Sequence, residues 1–245
     1  MKIIGTGSIL PKKVVTNDML AGFLDTSDEW IRTRTGVVSR HVISDERLED
    51  MAIEAAKMAL DNAGMKAEEL DFIICSNVVN EYVTPQLSCI IQGGIGATCP
   101  CIDINCACAG FIYAVEIAES FYQAGKVRNV LVVSAEEPTR MTDWNDRRTC
   151  VLFGDGAGAA VLAPCDNIKC VKLSASSATD KLWQYRLLHP TPYITKKETD
   201  VPLQMKGQDV FKFAVKAASK DISRVLEETG CSADEVDHYL LHQAN

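Results

Sequence analysis

AGMKAEELDFII, residues 63–74, returns as TGCSADEVDHYL at residues 229–240. The glycine, the alanine, the acidic pair and the following aspartate coincide when the second copy is laid on the first. Each copy follows an amphipathic helix and leads into an apolar run, so each reads as a helix–turn–strand unit. Ser232 and Glu235 add a capping box to the second copy. Repeats set architecture, and this one predicts two related αβ halves. Two units that share only turn chemistry are the other reading of the same residues. On either side, strands are predicted at 2–5, 71–76, 101–105 and 130–134 and within 149–162, and helices at 46–63, 87–95 and 109–124. Met51, Ala55, Met58 and Ala59 share one face of the first helix, and Gly64 is its C′ residue. In the third, Phe111, Ala114, Val115, Ala118, Phe121 and Tyr122 recur at helical spacing and Gly125 ends the run. Strands alternating with helices predict a layered α/β fold with a largely parallel sheet. The stretch 174–206 is polar, has no period and carries Pro190, Pro192 and Pro202. It reads as the connection between halves, with domains 1–173 and 174–245.

The 245 residues are 47% hydrophobic and 24% charged, the composition of a soluble globular chain. With 25 basic and 33 acidic residues the net charge is −8, which argues against general nucleic-acid binding. No apolar run reaches the ~18 residues of a membrane span. The start, MKIIGTGSILP, is too short and glycine-broken for an export signal. A cytoplasmic location is expected. The ten cysteines therefore read as reduced thiols rather than disulfides.

Two motifs carry chemistry. In DINCACAGF (103–111) a strand gives way to small residues and then to a helix. Cys108 stands at the helix start, where free N–H groups and the dipole favour a thiolate. Ala107, Ala109 and Gly110 leave room for a substrate thioester. A buried cysteine in a strand-to-helix turn fits the same spacing. Cys99, Cys101, Cys106 and Cys108 invite a metal reading, but C-x-C pairs across a strand lack the usual zinc spacing. In LLHQAN (240–245) a predicted strand delivers His242 at its C-terminal end, where ligand crevices of α/β sheets lie. Cysteine with histidine is the pairing of acyl chemistry on a thiol. His41, His189 and His238 have no such setting. The glycines of GDGAG (154–158) lack the Lys-Ser/Thr of a phosphate loop and suit close backbone packing. Trp30 follows Thr26 and Glu29, read as a capping box on a short helix ending near Gly36. Lys212, Lys216 and Lys220 form a one-sided basic stripe, either a solvated face or a docking patch.

ACAGF and HQAN, in this order, resemble the cysteine and histidine motifs of the β-ketoacyl-acyl-carrier-protein synthase III family. TSDEWIRTRTGVVSRH (26–41) and FGDGAGAAVL (153–162) are similar to the same family. The resemblance implies a dimeric thiolase-like fold, with duplicated αβ halves in α/β/α/β/α layers. It implies an enzyme that starts type II fatty-acid synthesis, with Cys108 as nucleophile and His242 as catalytic histidine. Trp30 and Arg147 correspond to residues on the two faces of the coenzyme A adenine, and Thr26 to another coenzyme A contact. Gly207 and Phe211 correspond to the lining of the pantetheine channel. Gln243, Ala244 and Asn245 begin the segment facing acyl carrier protein, toward which Lys212 adds positive charge. Thr84, before Pro85, stands where the family carries a phenylalanine in the acyl pocket, so a roomier pocket is expected. In the implied reaction acyl-CoA acylates Cys108. Malonyl-acyl carrier protein then loses CO₂, and His242, with an asparagine in the family, stabilises the carbanion that attacks the acyl-enzyme. No metal or redox cofactor is implied; coenzyme A enters as a thioester substrate. Acyl transfer without decarboxylation, and acyl-CoA binding without catalysis, are the alternatives. A second half as long as the first would run beyond Asn245, so the repeat predicts a chain truncated after HQAN, with decarboxylation impaired in residues 1–245 alone.

Overall fold

The structure, a computed structural model, describes residues 1–165, 170–186, 191–193 and 200–242. Its core forms where an alanine-rich helix meets glycine-bearing strands. Helix α3 (Leu48–Ala63) opens with Glu49 and Asp50 in its first turn, where carboxylates suit the helix dipole. It buries Leu48, Met51, Ala52, Ala55, Ala56, Ala59 and Leu60. Met58, expected on this face, lies at the edge of the stripe and is 40% exposed. Strand β1 (Lys2–Ile9) runs beneath the helix. A Cβ on Gly5 would stand 2.3 Å from the Ala59 carbonyl oxygen, and one on Gly7 2.2 Å from that of Ala55. No side chain fits this approach.

Four further strands complete the sheet: β4 (Phe72–Ser76), β5 (Cys101–Ile104), β6 (Val130–Glu136) and β7 (Gly156–Ala163), in the order β1–β7–β6–β4–β5. A small antiparallel ribbon, β2 (Lys13–Thr16) with β3 (Ser39–Val42), lies apart from it. The sheet is mixed, not largely parallel as expected. β4 runs parallel to β5 and β6, but β7 is antiparallel to both β6 and β1. Helices α4 (Leu87–Ile95) and α5 (Gly110–Gln123) carry the chain across the sheet between the parallel strands. From β6 to β7 the chain returns without an α-helical crossover, and such a return reverses direction. The strand expected within 149–162 accordingly starts only at Gly156. Before it, the Asp155 carboxylate accepts from Thr139 N (3.1 Å), Thr139 Oγ1 (2.6 Å) and Ile43 N (2.9 Å), which holds this stretch as a loop. β5 is half-buried along its length, because it is the sheet edge. α3 and α4 pack with Ile73, Leu131, Val133 and Val161 on one face; Ala114 and Ala118 of α5 meet Ile74, Val130 and Val132 on the other.

The repeat is visible in three dimensions. α3 and α6 (Gly207–Thr229) both end at a left-handed glycine, Gly64 at φ 62° and Gly230 at φ 67°. Met65 N donates to Leu60 O at 3.0 Å and Cys231 N to Leu226 O at 3.2 Å, the same Schellman closure. A single 3₁₀ turn follows in each, and Glu69 and Glu235 reach back to the N–H of Lys66 (2.8 Å) and Ser232 (2.7 Å). Beyond that the copies diverge. Phe72–Ser76 is a central strand, whereas no strand forms over 237–242 among the described residues. β4 has ladder partners on both sides, and the Asp71 carboxylate accepts from Arg128 N (2.7 Å) and Asn129 N (2.9 Å) at its start. Among the described residues the second copy has no ladder like that of β4: α6 has no fully buried residue, and Leu240 is 96% exposed. Among the described residues of 174–206, the connection forms a short ribbon, β8 (Leu182–Trp183) with β9 (Gln204–Met205). Among the described residues no helix is long and apolar enough to cross a membrane.

Candidate active site

The parallel strands β4, β5 and β6 point their C-terminal ends to one sheet edge, where α/β folds place ligands. β5 ends at Ile104, and a 3₁₀ turn, Ala107–Ala109, leads into α5. Cys108 is the middle residue of that turn. Of the cysteines 99, 101, 106 and 108 it is the exposed one. Ala107 just before it has φ 46°, a left-handed conformation that costs a residue with a Cβ about 1–2 kcal/mol. Asn105 Oδ1 accepts from Ala107 N at 3.4 Å and Cys106 O from Ala109 N at 3.1 Å, holding the bend. Gly110, expected to leave room for a substrate, is packed closely on the sheet. It faces Ser76, whose Oγ would stand 1.7 Å from an added Cβ, so it sets α5 down on the end of β4.

The thiol is not the depressed one expected at a helix start. Partial burial pushes Cys108 above the ordinary thiol value, its own backbone N–H pulls it down, and the Glu136 carboxylate adds to the rise. Cys108 lies in the turn ahead of α5, and the N-terminal pull is outweighed. Glu136, at the end of β6, is itself pushed up to about 7 by burial, against the Val78 N–H at 3.1 and 3.2 Å and with Glu137 nearby. Sequence reasoning missed it, although an acidic pair closing an apolar strand, VLVVSAEE (130–137), is a readable signal. Alkylation of Cys108 by iodoacetamide should accelerate as pH rises past ~8.5, the free-thiol value. Glu136→Gln removes the negative neighbour and should shift that profile to lower pH. A wild-type rate already at its plateau at pH 7 would contradict this assignment.

A second cluster surrounds Trp30. Helix α2 (Asp28–Thr35) starts at Ser27, whose Oγ accepts from Trp30 N at 3.0 Å, and ends at Gly36 with φ 71°. The N-cap is therefore Ser27, not Thr26 as expected. The Thr26 hydroxyl oxygen is instead buried, with no hydrogen-bond partner among the described residues. Trp30 packs partly against Leu20, Leu24, Ile31, Cys150 and Val151. Its ring also carries two guanidinium groups, Arg147 at 4.8 Å and Arg34 at 4.6 Å from the centroid. Arg147 also pairs with Asp25 at 3.4 Å and bonds its carbonyl. Trp30, Arg147 and Thr26 thus come together from two distant stretches. A planar ring between Trp30 and Arg147 would need two contact layers of ~3.5–4.0 Å each, so Arg147 must swing aside to admit one.

A family model described as 3-oxoacyl-[acyl-carrier-protein (ACP)] synthase III matches residues 102–180, which include Cys108 and Arg147. A β-ketoacyl-[acyl-carrier-protein] synthase III of Clostridium perfringens is 42% identical over 250 aligned positions, covering 100% of this chain and 77% of that protein. One from Neisseria meningitidis is 44% identical at the same coverage. The chain belongs to the β-ketoacyl-acyl-carrier-protein synthase III family. The crystal structure of the Aquifex aeolicus synthase III superposes with a TM-score of 0.90 at 40% identity, over 100% of this chain and 77% of that one. The Thermus thermophilus synthase III superposes with 0.89 at 33% identity. The thiolase-like fold is thereby shared, and the chain is an acyltransferase of the condensing type that serves type II fatty-acid synthesis.

The other positions singled out by the sequence resemblance are more scattered. Thr84 lies on an exposed loop beside Val83, which is 81% exposed. Gly207 begins α6; Phe211 on its first turns is 49% exposed, and Lys212, Lys216 and Lys220 are exposed. His242 is exposed and sits on the irregular 237–242 segment rather than at a strand end. Among the described residues no hydrogen bond or ion pair joins it to Cys108. Gln243, Ala244 and Asn245 lie outside the described residues, as does His189. His41 Nδ1 is 2.6 Å from the Pro11 carbonyl oxygen, and His238 is exposed. Among the described residues no three His, Cys, Asp or Glu side chains converge to hold a metal ion.

Proposed function

We propose that Cys108 is the acyl-accepting nucleophile of this synthase III chain and that acyl-CoA is its first substrate. The exposed thiol on a left-handed bend at the shared end of three parallel strands carries this reading. The Cys108 thiolate attacks the acyl carbonyl. A C–S bond forms, the carbonyl oxygen is held by backbone N–H groups that include that of Cys108, and the coenzyme A thiolate leaves. Malonyl-acyl carrier protein then loses CO₂. His242 donates a hydrogen bond to its thioester oxygen, and the carbanion attacks the acyl-enzyme, releasing Cys108. Incubation with acyl-CoA followed by intact-mass analysis should show one acyl group on Cys108. Decarboxylation of a malonyl thioester by residues 1–245 alone should be slow, and passage of the acyl group to an oxygen or nitrogen nucleophile without CO₂ release would favour transfer instead. No adduct at all would favour binding alone.

Trp30, Arg147 and Thr26 are proposed to hold coenzyme A, with the purine entering beside the indole and the unpartnered Thr26 hydroxyl meeting a polar group of the ligand. Trp30→Ala should weaken coenzyme A binding by about 1–3 kcal/mol, from base–aromatic stacking values. An unchanged dissociation constant by calorimetry would return Trp30 to the core. Gly207 and Phe211 are assigned to the pantetheine arm. The exposed Lys212 stripe, with Gln243, Ala244 and Asn245, is assigned to acyl carrier protein. With threonine at position 84, branched or longer acyl-CoA primers should be accepted. Strict acetyl-CoA preference in kcat/KM would count against a pocket wall at Thr84. A cytoplasmic homodimer is the proposed state, and the edge position of β5 supports it, because an unpaired strand edge invites a second copy.

A further inference from the structure

The loop from Asn77 to Gln86 leaves the C-terminal end of β4 and carries Thr84. Both of its ends are fixed to the sheet. Asn77 Nδ2 donates to Ala135 O at 2.7 Å, and Val78 N donates to Glu136 Oε1 at 3.1 Å. At the far end Gln86 Nε2 donates to Cys101 O at 3.0 Å. The Asp103 carboxylate accepts from Leu87 N at 2.7 Å and Ser88 N at 2.8 Å, which caps α4. Between these anchors the loop bonds to itself: Asn80 Nδ2 donates to Asn77 Oδ1 at 2.8 Å, and Tyr82 N to Asn80 Oδ1 at 2.8 Å. Among the described residues one side chain from elsewhere makes hydrogen bonds to its middle. Arg47 Nη2 donates to Glu81 Oε2 at 3.3 Å and to Tyr82 OH at 3.2 Å. Val83, Thr84 and Pro85 make no hydrogen bond among the described residues. The place of Thr84 is therefore set by the clamps on either side, at Tyr82 two residues before it and at Gln86 two after.

Arg47 is itself held from the other side. It is the N-cap residue of α3, and its carbonyl accepts from Met51 N at 3.2 Å. Its Nε lies 3.6 Å from Oε2 of Glu49, a carboxylate buried in the first turn of that helix. Among the described residues Arg47 is the only cation within ion-pair reach of Glu49, so the buried charge keeps the guanidinium in place. Under the contact Arg47, Glu49, Glu81, Glu137 and Arg140 line a cavity of about 70 Å³, so polar contacts rather than packing hold Glu81. We propose that Arg47 is a positioning residue for primer choice: by tying Glu81 and Tyr82 to the start of α3, it fixes where Thr84 stands against the acyl chain. The inference rests on the reading of Thr84 as an acyl-pocket residue. A loop free to yield admits primers that the fixed one rejects. Loss of the tie therefore lowers discrimination between acyl chains and leaves the coenzyme A end of the substrate untouched.

Glu81→Ala with Tyr82→Phe removes both loop-side acceptors and leaves Arg47 on Glu49, so the buried carboxylate keeps its cation. Acylation of Cys108 in the whole chain is followed by quenched intact-mass analysis with acetyl-CoA, butanoyl-CoA and isobutyryl-CoA in turn. The ratio of second-order acylation rates between the best and the worst primer should fall by about two- to five-fold, the scale of exposed ion-pair contacts. Coenzyme A affinity should stay as in the wild type, whereas a general loss of folding would slow every primer alike. Arg47→Met should lower the ratio to the same extent, and joining it to the loop variant should add nothing further. In fluorotyrosine-labelled protein the fluorine resonance of Tyr82, assigned by its absence from Tyr82→Phe, should shift in Arg47→Met. Thr84→Ala separates this inference from the reading beneath it. If Thr84→Ala changes the primer ratio and the loop variant does not, Arg47 does not position the pocket and the inference is wrong. An unmoved Tyr82 resonance in Arg47→Met would overturn it as well. If Thr84→Ala leaves the ratio unchanged, the pocket reading falls and takes the inference with it.

Discussion

Cys108→Ala should abolish the covalent acyl adduct and lower β-ketoacyl formation by about 10⁴-fold or more, the scale of losing a nucleophile that acts as a unit with its base. The effect is large because the covalent intermediate splits one difficult condensation into two easier steps, and no other exposed thiol shares this site. Cys106, two residues earlier, is only half-exposed and lies ahead of the turn. Cys75 is fully buried, and burial holds its thiol well above the ordinary range, which keeps it protonated. Cys106→Ala should therefore leave an acyl adduct of wild-type stoichiometry. Intact-mass analysis after acyl-CoA exposure reads both variants, and coenzyme A binding to Cys108→Ala checks that the fold survives. A full adduct in the Cys108→Ala protein would remove this residue from the mechanism.

Gly110→Ala should destabilise the protein by about 1–3 kcal/mol and displace the nucleophile, although it adds a single methyl group. An added Cβ would meet Ser76 Oγ at 1.7 Å and Ser76 Cβ at 2.7 Å, and an overpacked site of this kind costs that much even when neighbours relax. Glycine is otherwise the weaker helix former, so propensity alone would predict a gain from the same change. The two accounts differ in sign. Ser76→Gly removes both clashing atoms, and the pair Ser76→Gly with Gly110→Ala should recover most of the loss. Denaturant unfolding of the two single variants and the double variant measures this coupling. Additive effects would mean that Ser76 is not what holds position 110 to glycine.

The elements themselves were largely legible. Leu87–Ile95 falls where periodicity puts it, and Gly64, Gly125 and Gly230 are left-handed where the helices were expected to stop. The repeated Schellman closure and capping turn were also readable, since each is set by residues within seven positions of one another. Cys108 at a strand-to-helix turn was legible for the same reason. Strand direction was not. It depended on how β6 connects to β7, which lack an α-helical crossover between them, and hydrophobic pattern carries no sign for direction. Nor was the state of the thiol, because Glu136 approaches it from a strand distant in sequence and burial is a property of the packed site. The same holds for the capping of α4 by Asp103, the meeting of Arg147 with Trp30, and the contact of Arg47 with Tyr82. The stretch 237–242 shows the limit most directly. Its residues copy those of β4, yet a strand needs neighbours for its N–H and C=O groups, and only the tertiary structure decides whether they are there. Local sequence by itself determined helices, caps and the nucleophile turn, because their partners are a few residues away. Sheet direction, electrostatics and side-chain encounters across the chain were decided by tertiary structure, because their partners are brought together only by folding.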